Sequence, residues 1–178
     1  MMDNRLEISD ATWEKLQQHL LQNDVEQAAI MFAQPEVSET GVVFRERQVL
    51  MMRPTDFSFQ SEYHFCLTDE AQNRIIRTAW DTKTAIVEFH SHVGEVADAE
   101  FSASDLSGFG EFVPHVWWRL RGVPYAAIVT TRSEFDALVW RQDPKVPEGL
   151  SGIDTPSAIR RPSGHTLTRR GRRYGRSI

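Results

Sequence analysis

Cysteine is nearly absent from this sequence, in which Cys66 is the single one among 178 residues. One cysteine excludes an internal disulfide and any metal site built from several thiolates, including the sites of zinc deaminases with their paired cysteines. The flanking sequence YHFCLT predicts that Cys66 is a small, buried residue of a strand. Sites that need more than one thiolate are therefore not candidates for the chemistry of this protein.

Long hydrophobic runs are also missing. No stretch reaches the roughly 18 consecutive apolar residues that a membrane-spanning helix requires, and the N-terminal sequence MMDNRLEISDATW lacks the apolar core of a secretory signal. We therefore expect a cytoplasmic protein without a membrane partner. The length of 178 residues, with 40% hydrophobic residues, favours a single compact core.

Charge is unevenly distributed along the chain. Residues 1–143 contain 12 Lys/Arg and 23 Asp/Glu, whereas residues 144–178 contain eight and two. After residue 143, Pro, Gly, Ser and Arg are mixed without sustained apolar periodicity, which predicts a flexible Arg-rich tail behind a folded domain. The alternative is a tail that docks on an acidic surface or a partner. We do not expect a nucleic-acid partner, because the acidic body reveals no matching basic face.

Helix and strand patterns alternate along the first 142 residues. Ser9 is a capping candidate for an N-terminal amphipathic helix, and two strands joined by the turn PEVSETG follow it. Thr68 precedes a second helix. Ser102 begins a third helix, which Pro114 is expected to end, and the alternative is that Pro114 opens a short following helix over PHVWWRLR that Gly122 closes. This alternation predicts an α/β domain.

The segment TAIVEFHSHVGEVADAEFSASDL carries most of the functional information. His90 and His92 are two positions apart on a predicted strand, where such positions share a face, so both imidazoles can reach one metal ion. A carboxylate from Asp105 makes a third ligand. Three protein ligands, with a water as the fourth, distinguish a catalytic zinc site from a closed structural one. The motif predicts a hydrolase that binds one Zn²⁺.

A metal hydrolase also needs a general base, and two glutamates are candidates. Glu26 stands at the entrance of the first hairpin strand among apolar neighbours, which suits either a base with a tuned pKa or an edge residue facing water. Glu88 is the second candidate base. It shares a strand face with the histidines, a position that also suits a supporting or solvent-facing role. The residue pattern alone leaves this choice open, and it makes Ser102 a helix N-cap.

These residues together resemble the JAMM (JAB/MPN) metalloprotease family over roughly residues 10–142. The resemblance lies in Glu26 before an apolar strand, the His90 and His92 pair, and Ser102 with Asp105 at a helix start. It implies a single JAB/MPN domain of the cytidine-deaminase-like type, with a mixed sheet flanked by helices. It also implies zinc held by the two histidines and Asp105, with Glu26 as catalytic acid and base and Ser102 as oxyanion stabiliser.

Two departures from the family pattern bear on specificity. The family usually has proline after the second histidine, where this chain has Val93, and its gap to the serine is usually shorter than the stretch VGEVADAEF, residues 93–101. A longer loop leaves the ligands intact and reshapes the substrate groove beside the metal. We therefore expect specificity to differ from the family more than activity does.

The resemblance further implies a zinc isopeptidase or peptidase that removes a ubiquitin-like protein from conjugates or processes its precursor. Compact bacterial members that resemble this chain act beside ubiquitin-like proteins and their activating and conjugating enzymes, some of them in antiphage defence. These proteins are the expected partners. Two alternatives stay open: a non-catalytic MPN-type scaffold that recruits a partner through its Arg-rich tail, and a zinc peptidase that acts on small peptide conjugates.

Overall fold

The structure is a computed structural model that describes residues 3–94 and 98–174. The helices in these ranges are α1 (Asp10–Leu20), α2 (Asp69–Thr82), α3 (Ala103–Arg119) and α4 (His165–Tyr174), and a 3-10 turn spans Pro54–Asp56. The strands are β1 (Arg5–Glu7), β2 (Ala28–Val37), β3 (Val42–Met51), β4 (Phe57–Gln60), β5 (Phe65–Leu67), β6 (Ala85–Ser91), β7 (Tyr125–Thr130), β8 (Phe135–Trp140), β9 (Glu148–Gly149), β10 (Gly152–Thr155) and β11 (Ala158–Arg160). The alternation of helix and strand confirms the α/β class.

Nine of these strands form one mixed sheet in the order β11-β10-β1-β3-β2-β6-β7-β8-β9, and β4 pairs with β5 in a separate two-stranded sheet. In the large sheet β6 and β7 are parallel, as are β1 and its two neighbours, and the other pairs are antiparallel. Only Leu150 and Ser151 separate β9 from β10, although these strands lie near opposite ends of the order. The sheet therefore curls so that its two ends come close together.

Separate hydrophobic clusters cover the two faces of the large sheet. On one face α1 packs through Leu16 against residues that include Val87 of β6. On the other face α3 contributes Val113 to a cluster that contains Ile86. Because side chains alternate along a strand, His90 lies on the same face as Ile86, towards α2 and α3.

Helix starts follow the capping residues as predicted. Ser9, Thr68 and Ser102 are the N-caps of α1, α2 and α3, and each side chain accepts a hydrogen bond from the backbone N–H three residues later. The predicted hairpin is also present, since β2 and β3 pair from Ala29 and Met51 to Val37 and Val42, with one irregularity between Phe32 and Ala33. Among the described residues, no helix combines the length and the hydrophobicity needed to cross a membrane.

The prediction that α3 ends at Pro114 is wrong, because the helix continues to Arg119. A proline inside a helix removes one backbone hydrogen bond and costs about 3 kcal/mol, but it does not forbid continuation. Val113 and Val116, on either side of it, are both buried in the core. Their packing holds the last turns of the helix against the sheet and outweighs the local cost.

Residues 144–174 are not the flexible tail that their composition predicts. In this segment β9 pairs with β8, β10 pairs with β1 and β11 pairs with β10, and the Arg-rich end forms α4. Leu150 and Ile153 are buried in the core. Strands of two to four residues are too short to show periodicity, and their stability comes from pairing with strands that are distant in sequence. A domain boundary at residue 143 therefore falls inside the sheet.

Candidate metal centre

Both predicted histidine ligands lie at the end of β6, near the centre of the large sheet. His90 is 1% exposed, and His92 follows the strand by one residue. The backbone N–H of His92 donates to the Thr130 carbonyl at 2.9 Å, which continues the pairing with β7 beyond the end of β6. The two rings consequently stand on one side, with centroids 5.1 Å apart.

Asp105 reaches these histidines from the first turn of α3. The Ser102 Oγ accepts from the Asp105 N–H at 3.1 Å, and the Ser102 N–H and Oγ–H both donate to Asp105 Oδ2 at 2.7 Å. This reciprocal capping box fixes the direction of the carboxylate. Asp105 Oδ2 lies 3.2 Å from His92 Nε2 and 3.6 Å from His90 Nε2.

The three predicted ligands fit a zinc ion. His90, His92 and Asp105 each offer one ligand atom, and these atoms all lie within 4.8 Å of one another. The two ring nitrogens of His90 are buried, and neither makes a hydrogen bond. Buried polar atoms are nearly always satisfied, so such an orphaned imidazole points to a missing partner. Two imidazole nitrogens and a carboxylate oxygen form a donor set that catalytic zinc sites use.

Glu26 is a second carboxylic acid at this centre, beside Asp105. Its backbone is held just before β2, where its N–H donates to the Ser61 carbonyl at 2.9 Å and the Gln60 side chain donates to its carbonyl at 2.8 Å. The side chain is buried, with Oε1 placed 3.5 Å from His92 Nε2. Of the two readings that the sequence allowed, the buried base fits this geometry and the water-facing edge residue does not.

Burial raises the pKa of the Glu26 carboxyl from 4.5 to about 7. A positive charge on His90 opposes this shift, whereas the negative charge of Asp105 adds to it. A carboxyl group with a pKa near neutrality exchanges its proton readily at physiological pH, which is what general acid and base catalysis requires. The desolvated position of Glu26 therefore meets one requirement of a catalytic acid and base.

His90 and Asp105 shift the pKa of each other in opposite directions. Burial lowers the pKa of His90, but the carboxylates of Asp105 and Glu88 outweigh burial and raise this pKa to about 10. Burial raises the pKa of Asp105, and the two histidines outweigh it, holding this pKa well below its usual range. The two residues form a charged pair at neutral pH. A metal ion that binds between them must displace a proton, so its affinity depends on pH.

Glu88 faces the other ring nitrogen of His90. Its Oε1 lies 3.6 Å from His90 Nδ1, while Tyr125 donates a 2.6 Å hydrogen bond to its Oε2. Burial, and then the negative charge of Glu88, raise the pKa of Tyr125 well above its usual value, so the hydroxyl keeps its proton. This arrangement orients the imidazole from behind, which fits the supporting role of Glu88 better than the role of base.

Tyr125 is a site residue that sequence reasoning missed. It opens the apolar strand β7, and its side chain is 1% exposed. The available signal was a tyrosine in an otherwise apolar strand, since a buried hydroxyl needs a hydrogen-bond partner. The partner itself could not be read from the sequence, because it lies on β6 and depends on the register between the two strands.

A groove of about 540 Å³ leads from Asp105 along α3 towards β5. Its walls include His64 from the turn before β5, Leu67 of β5 and His115 of α3. Cys66 also lines it and is exposed, which corrects the prediction of a buried cysteine, because β5 belongs to a two-stranded sheet outside the core. Of the stretch 93–101, to which the sequence assigns specificity, residues 95–97 lie outside the described part of the chain.

A second group with possible metal ligands consists of Asp98, Glu134 and His165. This group is less buried than the group of His90, His92 and Asp105. Glu134 already accepts a hydrogen bond from the Ala99 N–H at 2.7 Å, and Arg169 forms an ion pair with Asp98 at 3.5 Å. All three side chains are partly exposed, although the Nδ1 atom of His165 is buried without a hydrogen bond and lies 3.9 Å from Glu134 Oε1.

Comparisons with known proteins identify the fold but not the family. No protein-family model and no curated protein matches the chain. Among solved structures, the chain is similar to the solution structure of protein DSY2949 from Desulfitobacterium hafniense, with 16% sequence identity and a TM-score of 0.55. The match covers 91% of this chain and 97% of that protein. At this identity the similarity supports the mixed α/β architecture alone.

Proposed function

We propose that this protein is a cytoplasmic zinc-dependent isopeptidase or peptidase of the JAMM (JAB/MPN) type. The observation that carries the proposal is the buried group of His90, His92 and Asp105 with the Glu26 carboxyl beside it. Three metal ligands with a carboxylic acid beside them suit amide hydrolysis, because a water must lose a proton and the leaving nitrogen must gain one.

His90, His92 and Asp105 would hold the zinc ion. When bound, zinc lowers the pKa of a coordinated water to about 7 and polarises a carbonyl group. Glu88 keeps the His90 ring in its orientation through the contact between Glu88 Oε1 and His90 Nδ1. Tyr125 in turn holds Glu88 by donating a hydrogen bond to Glu88 Oε2. Phe101 packs its ring against His90 at a centroid distance of 5.6 Å and excludes water from that side.

Glu26 would transfer the proton. In its ionised form the carboxylate accepts a proton from the attacking water as the new bond to the acyl carbon forms. The protonated carboxyl then returns this proton to the leaving nitrogen as the C–N bond breaks. A pKa of about 7 makes both directions accessible near neutral pH.

Ser102 is assigned to the developing oxyanion by the family resemblance. Its hydroxyl now donates to Asp105 at 2.7 Å. The same hydroxyl therefore has to leave this bond when it donates to a substrate oxygen. Loss of one oxyanion donor typically lowers turnover by about 100- to 1000-fold.

The substrate class follows from the same resemblance and is supported by the groove beside Asp105. This groove, of about 540 Å³, has a strand of a two-stranded sheet along one wall and a helix along another. An extended chain terminus, such as the C-terminal tail of a ubiquitin-like protein, fits such a surface. The activating and conjugating enzymes of a bacterial ubiquitin-like pathway would then supply the conjugates, in the context of antiviral defence in some of the bacteria concerned.

A cleavage assay tests this function. Zinc-loaded protein is incubated with ubiquitin-like proteins that carry a C-terminal extension, and with short peptides that copy the same tail and extension. We expect cleavage of at least one folded fusion, and we expect Glu26→Gln to lower the rate by about 100- to 10,000-fold while zinc stays bound. Glu88→Gln is the matched control, and its loss of rate should be smaller because Glu88 contacts Tyr125 and the Nδ1 side of His90, away from Asp105.

Other results would support the alternative functions. Equal cleavage of the short peptides and the folded fusions would favour a peptidase that acts on small conjugates, because contacts remote from the reacting bond then contribute nothing. A zinc-loaded protein that cleaves no fusion and no peptide would favour the non-catalytic scaffold. Full activity of Glu26→Gln would remove Glu26 from the mechanism.

A further inference from the structure

The C-terminal segment lies against the residues that lead into α3. We call residues 163–169 the C-terminal clamp. Within it, Thr166 Oγ1 accepts a 3.0 Å hydrogen bond from the Phe101 N–H, and the Ser163 hydroxyl donates to the Ala99 carbonyl at 2.8 Å. Arg169 forms an ion pair with Glu100. Three consecutive residues, 99–101, are thus each held by a side chain of the clamp.

The clamp is itself fixed to the sheet through β8. Asp136 is 1% exposed, and its carboxylate accepts from the Gly164 N–H at 3.1 Å and from the Thr166 N–H at 2.9 Å. The Ser163 N–H donates to the carbonyl of Phe135 at 2.8 Å. A buried carboxylate that receives two backbone donors holds a helix start firmly, since charged acceptors make the stronger hydrogen bonds. The clamp therefore connects a core strand to residues 99–101.

Residues 99–101 are directly connected to the metal centre. Phe101 precedes Ser102, the N-cap whose capping box directs Asp105. The ring of Phe101 also packs against His90, with centroids 5.6 Å apart, and against Phe109 of α3 at 5.3 Å. A displacement of Phe101 would consequently move the aspartate ligand and one face of a histidine ligand together.

We propose that the C-terminal clamp positions the metal centre, so that docking of the clamp and binding of the metal stabilise each other. Thr166 is the positioning residue, because its hydroxyl holds the Phe101 backbone. The inference rests on the metal site of the proposed function, but it does not depend on the substrate. Coupling of this kind is reciprocal: if the clamp raises the affinity for the metal, the metal must stabilise the docked clamp by the same factor.

Thr166→Val tests the first half of the coupling. This change keeps the shape of the side chain and removes the acceptor, so the buried Phe101 N–H loses its partner. We expect the affinity for Zn²⁺, measured by competition with a chromophoric chelator, to fall by about 10-fold, a typical effect of changing residues that support metal ligands. Thr166→Ser keeps the hydroxyl, so its affinity for Zn²⁺ should match that of the unchanged protein. Thr168→Val is the matched control, because the Thr168 hydroxyl is exposed and donates to the carbonyl of Gly164, just before the start of the same helix, and not to residues 99–101.

Hydrogen exchange of the unchanged protein tests the second half and does not depend on how a variant folds. We expect the amides of residues 163–169 to exchange more slowly after addition of Zn²⁺. If the unchanged protein binds Zn²⁺ tightly, yet Thr166→Val binds it equally well and clamp exchange is unaffected, the coupling is wrong and the metal site stands. If the unchanged protein binds no Zn²⁺, the metal site and the coupling are both wrong.

Discussion

At the scale of single residues, the centre is defined by an acid that is buried close to other acids. No lysine or arginine among the described residues forms an ion pair with Glu26, and its carboxyl lies near Asp105 and His92. Burial of Glu26 outweighs the opposing positive charge of His90, and a buried carboxylate is destabilising because desolvation disfavours its charged form. Proteins keep such groups where function requires them. The cost that Glu26 imposes on folding is therefore itself a measurable sign of its role.

Glu26→Gln should stabilise the protein when zinc is removed with a chelator. The pKa of Glu26 is raised from 4.5 to about 7 on folding, so the folded state binds more protons between these values and loses stability as pH rises through this window. At pH 8 the full penalty applies, and we expect the variant to be more stable by about 1 to 3 kcal/mol. At pH 5 the gain should shrink. Urea unfolding at the two pH values measures both effects, and a variant that is less stable at pH 8 would contradict the burial argument.

At the scale of secondary-structure elements, the first turn of α3 serves the fold and the site with the same hydrogen bonds. Ser102 caps α3 as Ser9 caps α1, each accepting from the backbone N–H three residues later. At Ser102, the residue that donates this N–H is Asp105, whose carboxylate also accepts from the Ser102 N–H and is a candidate metal ligand. The two caps therefore form a natural pair for separating helix stability from ligand orientation.

Ser102→Ala and Ser9→Ala should destabilise the protein by similar amounts, about 1 kcal/mol each, because each removes one helix cap. Only Ser102→Ala should also weaken zinc binding, since it releases the Asp105 carboxylate from its hydroxyl donor. Thermal unfolding and zinc titration of both variants provide the comparison. Equal zinc affinities would show that the capping box does not orient the ligand.

Much of this architecture could be predicted from the sequence where the signal is local. The caps of α1, α2 and α3 are marked by Ser or Thr before a helical pattern, and the two histidines share a side because strand geometry requires it. Features that depend on distant contacts could not be predicted. The continuation of α3 beyond Pro114 rests on packing against the sheet, the partner of Tyr125 on strand register, and the exposure of Cys66 on which sheet receives β5.

At the scale of the whole molecule, the residues after 143 complete the fold. Strand β10 covers the outer edge of β1, and the segment around it buries Leu150 and Ile153. The basic character of this region is partly used inside the molecule, because Arg169 pairs with the carboxylates of Asp98 and Glu100. An acidic body and a basic segment thus belong to one folded unit.

Ile153→Ala measures how much this segment contributes. Ile153 is 0% exposed, and its truncation should cost about 2 to 5 kcal/mol of unfolding free energy, as for other large-to-small changes in a core. Ile159, on the neighbouring strand β11, is 64% exposed, and Ile159→Ala should change stability by less than about 0.5 kcal/mol. Denaturant unfolding of the two variants measures both changes in unfolding free energy. Similar small effects would mean that the segment is the flexible tail that composition predicts.

Calorimetric titration with Zn²⁺ near pH 7.5 tests the central claim most directly. The unchanged protein should bind one zinc ion per chain, and Asp105→Ala should lose most of this affinity because it removes a ligand. Asp98→Ala changes the second group of possible ligands, Asp98, Glu134 and His165, and this variant should bind zinc as the unchanged protein does. An unchanged protein that binds no stoichiometric zinc would contradict the proposed metal site, as would an Asp105→Ala variant that binds zinc as tightly as the unchanged protein.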